Sequence, residues 1–496
     1  MTPLRPRRAA LRRLFAITLF ALLTPVGAPT AFAEEAVSLT PCRLAGLRGV
    51  SAIRAECGSL TVPLDYNQPD GDTIDLAIAR VPALRRSESP VAVTAIAGGP
   101  GQASIEFYAS YGPAFRRMRE SHDVILVDQR GTGGSMRLGC PAPDENLQGG
   151  WNEDDMRDAA RDCLNGLPAD PRFFTTSVAV RDLDAVRAAL GYEQLSVYGI
   201  SYGTRVAQHY LRRYPDQTHS VILDGVVPVD EALGPDIAPL AQRAVGRALA
   251  RCADNDACNA AFPDIERRFE ALIDQLREQP VTVTLNHPVT AAPTTLTVGQ
   301  LEVAGAIRLL SYAPQTVALL PLMIHEASNG NYVPLAAQAL TVSQVLADSM
   351  AFGMHNAVVC AEDAPFFGAI DREALAQTYL GTPVVDALSA ACDLWPQGRM
   401  DDDFKTPFES DVPVLVLSGE ADPITPPEYG ERVVDYLGRA RHILGPGQGH
   451  GQAAVGCFPM LMGQFVRDRD LDALDTSCVE QQIASPFFTS FAGPEP

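Results

Sequence analysis

The chain has 496 residues and a formal net charge of −21 at pH 7. This acidic excess disfavours nucleic acid and anionic lipid as partners, because both repel a negatively charged surface. The length is sufficient for one large core with a second, inserted domain.

The first 33 residues have the composition of a secretory signal peptide. A group of arginines precedes an apolar run that ends at about Leu23, and Ala31-Phe32-Ala33 provides small residues for cleavage after Ala33. The apolar run is too short to span a bilayer, so we expect no membrane association once the signal is removed. We therefore predict an exported protein, either periplasmic or secreted.

Two separated regions of the chain alternate short apolar runs with helical patterns. The first region is expected to form strands at residues 60–64, 74–81, 91–96, 124–127, 195–198 and 221–223, and a helix at 178–190. The second is expected to form strands at 414–417 and 442–444 around a helix at 428–437. Strands that alternate with helices predict an α/β fold with a mostly parallel sheet, in which only the first two or three strands are antiparallel.

Helical patterns replace this alternation between roughly residues 230 and 408. The expected helices lie at residues 238–250, 265–276, 299–310, 315–327 and 335–350, with one hairpin formed by 281–285 and 295–298. This predicts a mainly helical cap inserted into the core. The predicted organisation is a signal peptide at 1–33, a first core part at 34–229, the cap at 230–408, and a second core part at 409–496.

A Gly-x-Ser-x-Gly pattern centred on Ser201 lies between the strand at 195–198 and a helical run that begins at Thr204. This strand–turn–helix context is that of a nucleophile elbow in α/β-hydrolases. Gly199 and Gly203 fit the turn because a side chain at either position would strike the neighbouring strand or helix. We predict Ser201 as the nucleophile, held in strained backbone angles.

The acid and the base that such a serine needs follow it in the chain, in the order Ser, Asp, His. Asp422 comes just past the strand at 414–417, in a loop stiffened by prolines. We prefer it to Glu420, its nearest competitor, because Asp-Pro immediately precedes the next helix. His450 is the predicted base, since glycines on both sides let the backbone bring its imidazole to a neighbouring loop.

Backbone N–H donors for an oxyanion are predicted at two places. One is the amide of Tyr202, directly after the nucleophile. The other is the loop Gly98-Gly99-Pro100-Gly101, which follows the strand at 91–96. Glycines in this loop allow the backbone to approach a substrate.

The ten cysteines are even in number and lie in neighbouring couples. In an exported protein this predicts disulfides. Sequence does not fix the connectivity, so pairing by proximity is an assumption: Cys42/Cys57, Cys140/Cys163, Cys252/Cys258, Cys360/Cys392 and Cys457/Cys478. No cysteine is predicted to be catalytic, and Cys252 and Cys258 lack the nearby Cys or His pair of a metal site.

Three motifs, in this order along the chain, resemble the prolyl iminopeptidase family of α/β-hydrolases. They are the 98–101 loop, the run Asp128-Gln129-Arg130-Gly131-Thr132-Gly133-Gly134-Ser135, and the serine elbow. The paired cysteines and long cap are more similar to its secreted tripeptidyl aminopeptidase branch, and residues 409–496 include its C-terminal region. The resemblance implies hydrolysis near a free N-terminus and makes Gly99 the oxyanion donor of its loop. Ala97 stands where the family typically has His, which weakens the transfer of strict proline specificity.

Two further roles are expected once this resemblance is considered. An aminopeptidase has to bind a substrate ammonium, and a cap carboxylate is an economical partner for it. Glu362 is the first candidate and Asp363 the second, because both follow Cys360, whose predicted disulfide would hold them rigid. A solvated acid pair is the alternative at this position. Arg130 is expected to be a structural ion-pair partner rather than a substrate contact.

Together these features predict an exported serine aminopeptidase that acts on peptides with a free N-terminus through an acyl-enzyme, without a metal or cofactor. A carboxylesterase or lipase with the same triad is the main alternative, since an ester needs no ammonium recognition. A non-catalytic binding protein on a hydrolase scaffold is a remote alternative. The sequence indicates neither the number of residues released nor an oligomeric state.

Overall fold

The structure is a computed structural model, and it describes residues 37–46, 52–85, 89–141 and 153–494. The predicted signal peptide and its cleavage point lie outside these residues. Among the helices of the described ranges, none is long and apolar enough to cross a membrane.

Strands organise the described chain into one large sheet and one hairpin. In chain order they are β1 (Thr40–Ala45), β2 (Ala52–Pro63), β3 (Thr73–Val81), β4 (Val91–Ile96), β5 (Val124–Val127), β6 (Gln194–Ile200), β7 (Thr218–Asp224), β8 (Val281–Asn286), β9 (Pro293–Val298), β10 (Ser410–Gly419) and β11 (Gly438–Gly445). The large sheet has the order β1-β2-β3-β5-β4-β6-β7-β10-β11, and β8 pairs with β9. The pairs β1–β2, β2–β3 and β3–β5 are antiparallel, and the other pairs of the large sheet are parallel, as the sequence predicts.

Helices connect the strands and cover both faces of the sheet. They are α1 (Ser104–Tyr111), α2 (Glu153–Asn165), α3 (Thr176–Ala189), α4 (Tyr202–Arg213), α5 (Ile237–Ala253), α6 (Asp256–Ala261), α7 (Ile265–Glu278), α8 (Gln300–Leu310), α9 (Pro314–Val317), α10 (Leu320–Ser328), α11 (Val333–Ser349), α12 (Phe352–Glu362), α13 (Arg372–Ala376), α14 (Pro383–Cys392), α15 (Pro427–Leu437) and α16 (Phe458–Asp468). Every residue of β4 and β5 is buried, which explains why both strands are apolar except for Thr94. One face packs against α3, α4 and α15, and the other against α1 and α16.

The chain between β7 and β10 is helical apart from the β8–β9 hairpin. Its helices enclose an apolar cluster of their own, which includes Val245, Leu272, Ile307 and Leu335. The expected helix at 315–327 is two helices, α9 and α10. Pro321 lies in the first turn of α10, where a residue without an N–H starts a helix but does not continue one. The boundaries of the cap at 230–408 stay a prediction.

The ten cysteines form five disulfides, and each joins the two cysteines that sequence proximity pairs. The bridges are Cys42–Cys57, Cys140–Cys163, Cys252–Cys258, Cys360–Cys392 and Cys457–Cys478. Disulfides of this number are typical of proteins that fold outside a reducing cytoplasm. The bridge Cys360–Cys392 also packs with Cys163 and Trp395, which connects α12 and α14 to α2.

The bridge Cys457–Cys478 fastens the C-terminal segment to the core. Cys457 is the N-cap residue of α16, and Cys478 lies in the irregular chain that follows this helix. Both cysteines are partly buried and pack against the apolar cluster on the α16 side of the sheet. The sulfur of Cys478 is committed to the disulfide, so Cys478 is a structural residue and takes no part in the chemistry of a site.

Candidate active site

Ser201 lies at the turn between β6 and α4, as the N-cap residue of the helix. Its backbone angles, φ 55° and ψ −127°, fall in a region that side chains rarely adopt. A Cβ on Gly199 would overlap the backbone of Gly203, and a Cβ on Gly203 would overlap the carbonyl oxygens of Ile96 and Ala97. The two glycines therefore permit a turn that exposes the serine at the carboxyl edge of the sheet.

Asp422 and His450 are in direct contact. His450 Nδ1 lies 2.8 Å from Asp422 Oδ2. An ionised carboxylate has no proton to give, so Nδ1 is the donor and Nε2 is left to accept a proton. Asp422 follows β10 and His450 follows β11, and these neighbouring parallel strands end at the same edge of the sheet. The backbone N–H groups of Ile424 and Thr425 each donate to Asp422 Oδ1 at 2.9 Å, which fixes the carboxylate.

Glu420, the competing acid, has another partner. Its Oε2 accepts a hydrogen bond from the N–H of Gly447 at 2.8 Å. The contact holds the glycine-rich loop that leads to His450. Glu420 therefore shapes this loop, while Asp422 faces the imidazole.

Thr425 is a site residue that the sequence reasoning missed. Its hydroxyl donates to Asp422 Oδ2 at 2.8 Å, and its oxygen lies 3.0 Å from His450 Nδ1. The side chain is buried, at 1% exposure. Its position three residues after the acid, in Asp-Pro-Ile-Thr, is the signal that could have indicated it.

The environment of His450 raises the pKa of its imidazole. Burial by itself lowers that pKa, but the negative charge and the hydrogen bond of Asp422 outweigh burial. The imidazole thus binds a proton more tightly than a free histidine does. This is the property expected of a group that removes a proton from a serine.

Ser201 and His450 both lie close to the end of β7. The N–H of Ser201 donates to the carbonyl oxygen of Asp224 at 3.0 Å. A Cβ on Gly225, the next residue, would lie 3.0 Å from His450 Cε1. In the described part of the chain no hydrogen bond joins the Ser201 hydroxyl to His450, and such bonds are often long before substrate binds.

Asp224 is a second residue that the sequence reasoning missed. Its fully buried carboxylate accepts from the N–H groups of Gln452 and Ala453 at 2.7–2.9 Å and from the Tyr198 hydroxyl at 2.7 Å. Burial raises its pKa to about 6, and these hydrogen bonds oppose the rise. Asp224 thereby anchors the loop that carries His450. An aspartate followed by glycine at the end of a predicted strand was the available signal.

The loop at 98–101 lies against the nucleophile. A Cβ on Gly98 would be 2.9 Å from Ser201 Cβ, so the backbone approaches the serine closely. Gly99 has a φ of 109°, a conformation that favours glycine. Tyr202, whose amide is the other predicted donor, begins α4, where helix N–H groups lack intrahelical partners. The two predicted donors thus belong to segments that adjoin Ser201.

Comparison with known proteins gives two family matches. The family described as “alpha/beta hydrolase fold” matches residues 93–289, and the family described as “TAP-like protein” matches residues 377–478, a stretch that ends at Cys478. The chain has the α/β-hydrolase fold. The predicted fold class and family resemblance are thereby confirmed, and the chain is an enzyme of the hydrolase class.

Three curated relatives of this α/β-hydrolase have informative names. Over 466 residues it is 28% identical to “Serine protease Hip1” of Mycobacterium tuberculosis, covering 85% of this chain and 87% of that protein. It is 32% identical over 189 residues to “Tripeptidyl aminopeptidase” of Streptomyces lividans, covering 35% of each chain. It is 29% identical over 280 residues to “Carboxylesterase B” of Mycobacterium tuberculosis, covering 51% of this chain and 52% of that protein.

Glu362 and Asp363 are fully buried in the hydrolase, which corrects the expectation of acids open to a substrate amine. The two oxygens of Glu362 accept from the N–H and the hydroxyl of Thr176, at 2.6 and 2.9 Å. Both Asp363 oxygens accept from the Arg205 guanidinium, at 2.8 and 3.0 Å. Both acids have 0% side-chain exposure, so an ammonium group cannot reach them without displacing these partners.

The same network reaches the residue after the nucleophile. The hydroxyl of Tyr202 contacts Thr176 Oγ1 at 2.7 Å and accepts from Gln129 at 2.9 Å. Burial raises the pKa of Glu362 to about 7, although Arg205 opposes this rise. The pKa of Asp363 is lowered, because the charges of Arg205 and Lys405 outweigh burial. The network therefore stabilises the first turn of α4 and is not open to a substrate.

Arg130 is a structural residue of the hydrolase, as expected. Its guanidinium donates twice to Asp182 at 2.6 Å and is fully buried. Further donors of the group bind backbone carbonyl oxygens of Leu64 and Phe173 at 2.9 Å. In the described ranges, no group of three or more His, Cys, Asp and Glu residues could hold a metal ion.

Proposed function

We propose that this hydrolase is an exported serine peptidase that cleaves peptide bonds near a free N-terminus. The contact between His450 and Asp422, at the same sheet edge as the strained turn of Ser201, carries the catalytic part of the proposal. Relatives named serine protease and tripeptidyl aminopeptidase support peptides as substrates. Five disulfides and the composition of residues 1–33 support export.

In this proposal Ser201 attacks the scissile carbonyl carbon while His450 Nε2 takes the hydroxyl proton. Asp422 holds the imidazole through Nδ1 and stabilises the positive charge that forms on it. His450 then gives the proton to the leaving amine, which departs and leaves an acyl-enzyme. Water, activated by the same histidine, hydrolyses the ester and restores Ser201.

The oxyanion of each tetrahedral intermediate is assigned to the backbone N–H groups of Gly99 and Tyr202. Donors already in position stabilise this charge without reorganising at the moment of reaction. The strain at Ser201 and the close approach of Gly98 support this assignment, because Gly99 follows Gly98 and Tyr202 follows Ser201. The helical cap at 230–408 is proposed to cover the cleft, and its amine-binding group is not assigned.

A carboxylesterase is the second candidate function. The relative named “Carboxylesterase B” favours it, and the same three residues would act on an ester. The burial of Glu362 and Asp363 also removes the carboxylates proposed to distinguish an aminopeptidase from an esterase. The two functions are therefore distinguished by whether the enzyme hydrolyses peptide amides or esters.

The deciding experiment compares matched substrates with the purified enzyme and its Ser201→Ala variant. We expect Ala-Ala-Pro p-nitroanilide with a free amine to be cleaved and its N-acetylated form to be cleaved far more slowly. Pro p-nitroanilide and Ala p-nitroanilide, measured alongside, report the number of residues released. Hydrolysis of p-nitrophenyl esters without cleavage of either amide would overturn the peptidase proposal and leave an esterase.

A further inference from the structure

Arg308, on helix α8 of the predicted cap, has no acidic partner among the described residues. Its side chain is partly buried. One guanidinium nitrogen donates to the Tyr312 hydroxyl at 3.1 Å, and its buried Nε has no hydrogen-bond partner in the described ranges. The fully buried Arg130 and Arg205 are paired with carboxylates instead. A guanidinium that has lost water without gaining an acid retains donors for an anionic ligand.

A second polar atom without a partner belongs to the same neighbourhood. Tyr379 is 3% exposed, and its hydroxyl has no hydrogen-bond partner among the described residues. Burial raises the pKa of both Tyr379 and Tyr312, and the positive charge of Arg308 opposes the rise in each. The Arg308 guanidinium and the Tyr312 hydroxyl, 3.1 Å apart, form a donor set suited to a carboxylate. Tyr379 adjoins the same helix, because its carbonyl oxygen accepts from Gln300 of α8 at 2.9 Å, and its hydroxyl is a further donor.

Tyr312 connects this donor set to the active site. The centroids of its ring and the His450 ring are 5.1 Å apart, in an edge-to-face contact. Its carbonyl oxygen accepts from the N–H of His450 at 2.7 Å. Arg308 Cζ lies 5.8 Å from the Tyr312 ring centroid. Tyr312 therefore contacts both the guanidinium and the proposed base.

The charge of Arg308 also acts on His355 of α12. His355 Nδ1 lies 3.3 Å from the carbonyl oxygen of Pro100 in the oxyanion loop. Burial lowers the pKa of His355, and Arg308 lowers it further. Arg308 therefore adds positive charge near both the proposed base and a neighbour of the oxyanion loop, in agreement with its hydrogen bond to Tyr312.

We propose that Arg308, with the hydroxyls of Tyr312 and Tyr379, binds a carboxylate on the leaving-group side of the substrate. The inference rests on the proposed function, because the catalytic histidine gives its proton to the leaving group and so lies beside it. The carboxylate has two sources, the C-terminus of a short peptide or an acidic side chain just after the scissile bond. The enzyme therefore favours peptides that carry a negative charge close behind the cleaved bond.

Binding to the inactive Ser201→Ala enzyme tests this without turnover. Calorimetry with Ala-Ala-Pro-Ala as free acid and as C-terminal amide measures the α-carboxylate, and Ala-Ala-Pro-Glu amide against Ala-Ala-Pro-Gln amide measures the side chain. We expect the charged member of at least one pair to bind about tenfold more tightly, as for a charged hydrogen bond in a partly buried site. The pair that shows the difference identifies the source.

Variants of Ser201→Ala assign the difference to Arg308. Adding Arg308→Gln should abolish the preference for charge, and Arg308→Lys should retain part of it. Arg251→Gln is the matched control, because Arg251 is also partly buried in the cap and lies over an aromatic ring, with Cζ 4.1 Å from the Phe487 centroid. That variant should keep the full preference. Thermal melting of each protein shows that it is folded, and Arg308→Lys carries the test if Arg308→Gln does not fold.

Equal binding of charged and neutral peptides by the parent enzyme would overturn the carboxylate site, and so would a preference that survives Arg308→Gln. The active enzyme is assayed for cleavage of the same four peptides. If it cleaves none of them, the peptidase proposal fails, whatever the binding data show. If it cleaves all four at equal rates and binds them equally, the peptidase proposal stands and the carboxylate site fails.

Discussion

Thr425 is the residue whose contacts bear most directly on the Asp422–His450 pair. Its hydroxyl donates to the Asp422 carboxylate and lies beside His450 Nδ1. Removing it leaves a buried carboxylate with one donor fewer, which costs about 1–3 kcal/mol when the group stays unsatisfied. Thr425 is therefore expected to hold the geometry of the pair.

We predict that Thr425→Val lowers kcat/KM about tenfold, because valine has the same shape without the hydroxyl. Thr425→Ser should stay close to the parent enzyme, since it keeps the donor. The measurement is kcat and KM for both variants on the substrate that the enzyme turns over, with a melting curve for each. Equal activity of the two variants would show that the hydroxyl has no role at the site.

The pH dependence of activity reports the pKa of His450. A protonated imidazole cannot accept the serine proton, so kcat/KM falls as pH drops through this pKa. Because Asp422 raises the pKa above 6.5, we predict that the acid limb lies above pH 6.5. Asp422→Asn removes the raising charge, so the limb should move to lower pH while activity falls by about 10⁴-fold, as in other serine triads.

Glu420→Gln is the matched control for this profile. Glu420 binds the backbone of Gly447 rather than the imidazole. Its replacement should leave the position of the acid limb unchanged. An acid limb that moves with Glu420→Gln and not with Asp422→Asn would assign the two acids the other way round.

At this scale the sequence predicts the residues that stand in glycine- or proline-marked loops, namely Ser201, Asp422 and His450. It cannot show contacts between residues far apart in the chain. Arg205 lies 158 positions from Asp363. The sequence therefore could not predict this ion pair, which occupies the carboxylate expected to bind a substrate amine. Thr425 reaches His450, and Asp224 reaches the loop that carries His450, only after separate strands have come together.

Among the elements, the elbow between β6 and α4 depends most on backbone space. We predict that Gly203→Ala prevents folding or lowers the melting temperature strongly, because its Cβ would overlap two carbonyl oxygens of the neighbouring strand end. Gly246→Ala in α5 is the control. A Cβ at Gly246 meets nothing within 4 Å, and alanine favours a helix by about 1 kcal/mol over glycine, so stability should hold or rise. Circular dichroism melting curves of the two variants provide the comparison.

Elements with a strong apolar pattern can be predicted from the sequence, and elements without such a pattern cannot. The central strands β4 and β5 are buried on both faces, so their mostly apolar runs identify them in the sequence. β1 has a single buried residue, Leu44, and therefore no apolar run or alternation to identify it. It forms because β2 offers an antiparallel partner and because Cys42 is bridged to Cys57. A tertiary context of that kind is not contained in local sequence.

At the scale of the whole molecule, the disulfides close loops of different length. The bridge Cys360–Cys392 spans 32 positions, and Cys252–Cys258 spans 6. Loop-closure entropy in the unfolded chain then predicts that replacing the first pair by alanine lowers the free energy of unfolding by about 1.5 kcal/mol more than replacing the second. Urea unfolding of the two double variants measures this. An equal loss would mean that native-state contacts, not chain entropy, dominate.

The site is assembled from parts of the chain that are far apart, and Asp224 fastens them together. Its carbonyl oxygen holds the nucleophile turn, while its carboxylate holds the loop of the base, 228 positions further on. During synthesis, the segment with Ser201 and Asp224 is therefore made well before the segment that carries His450, the predicted base. Until β11 has docked, His450 is not held beside Asp422, so the predicted Ser201–Asp422–His450 set is incomplete. Docking of β11 onto β10 therefore brings the last of the three predicted residues, His450, to the site.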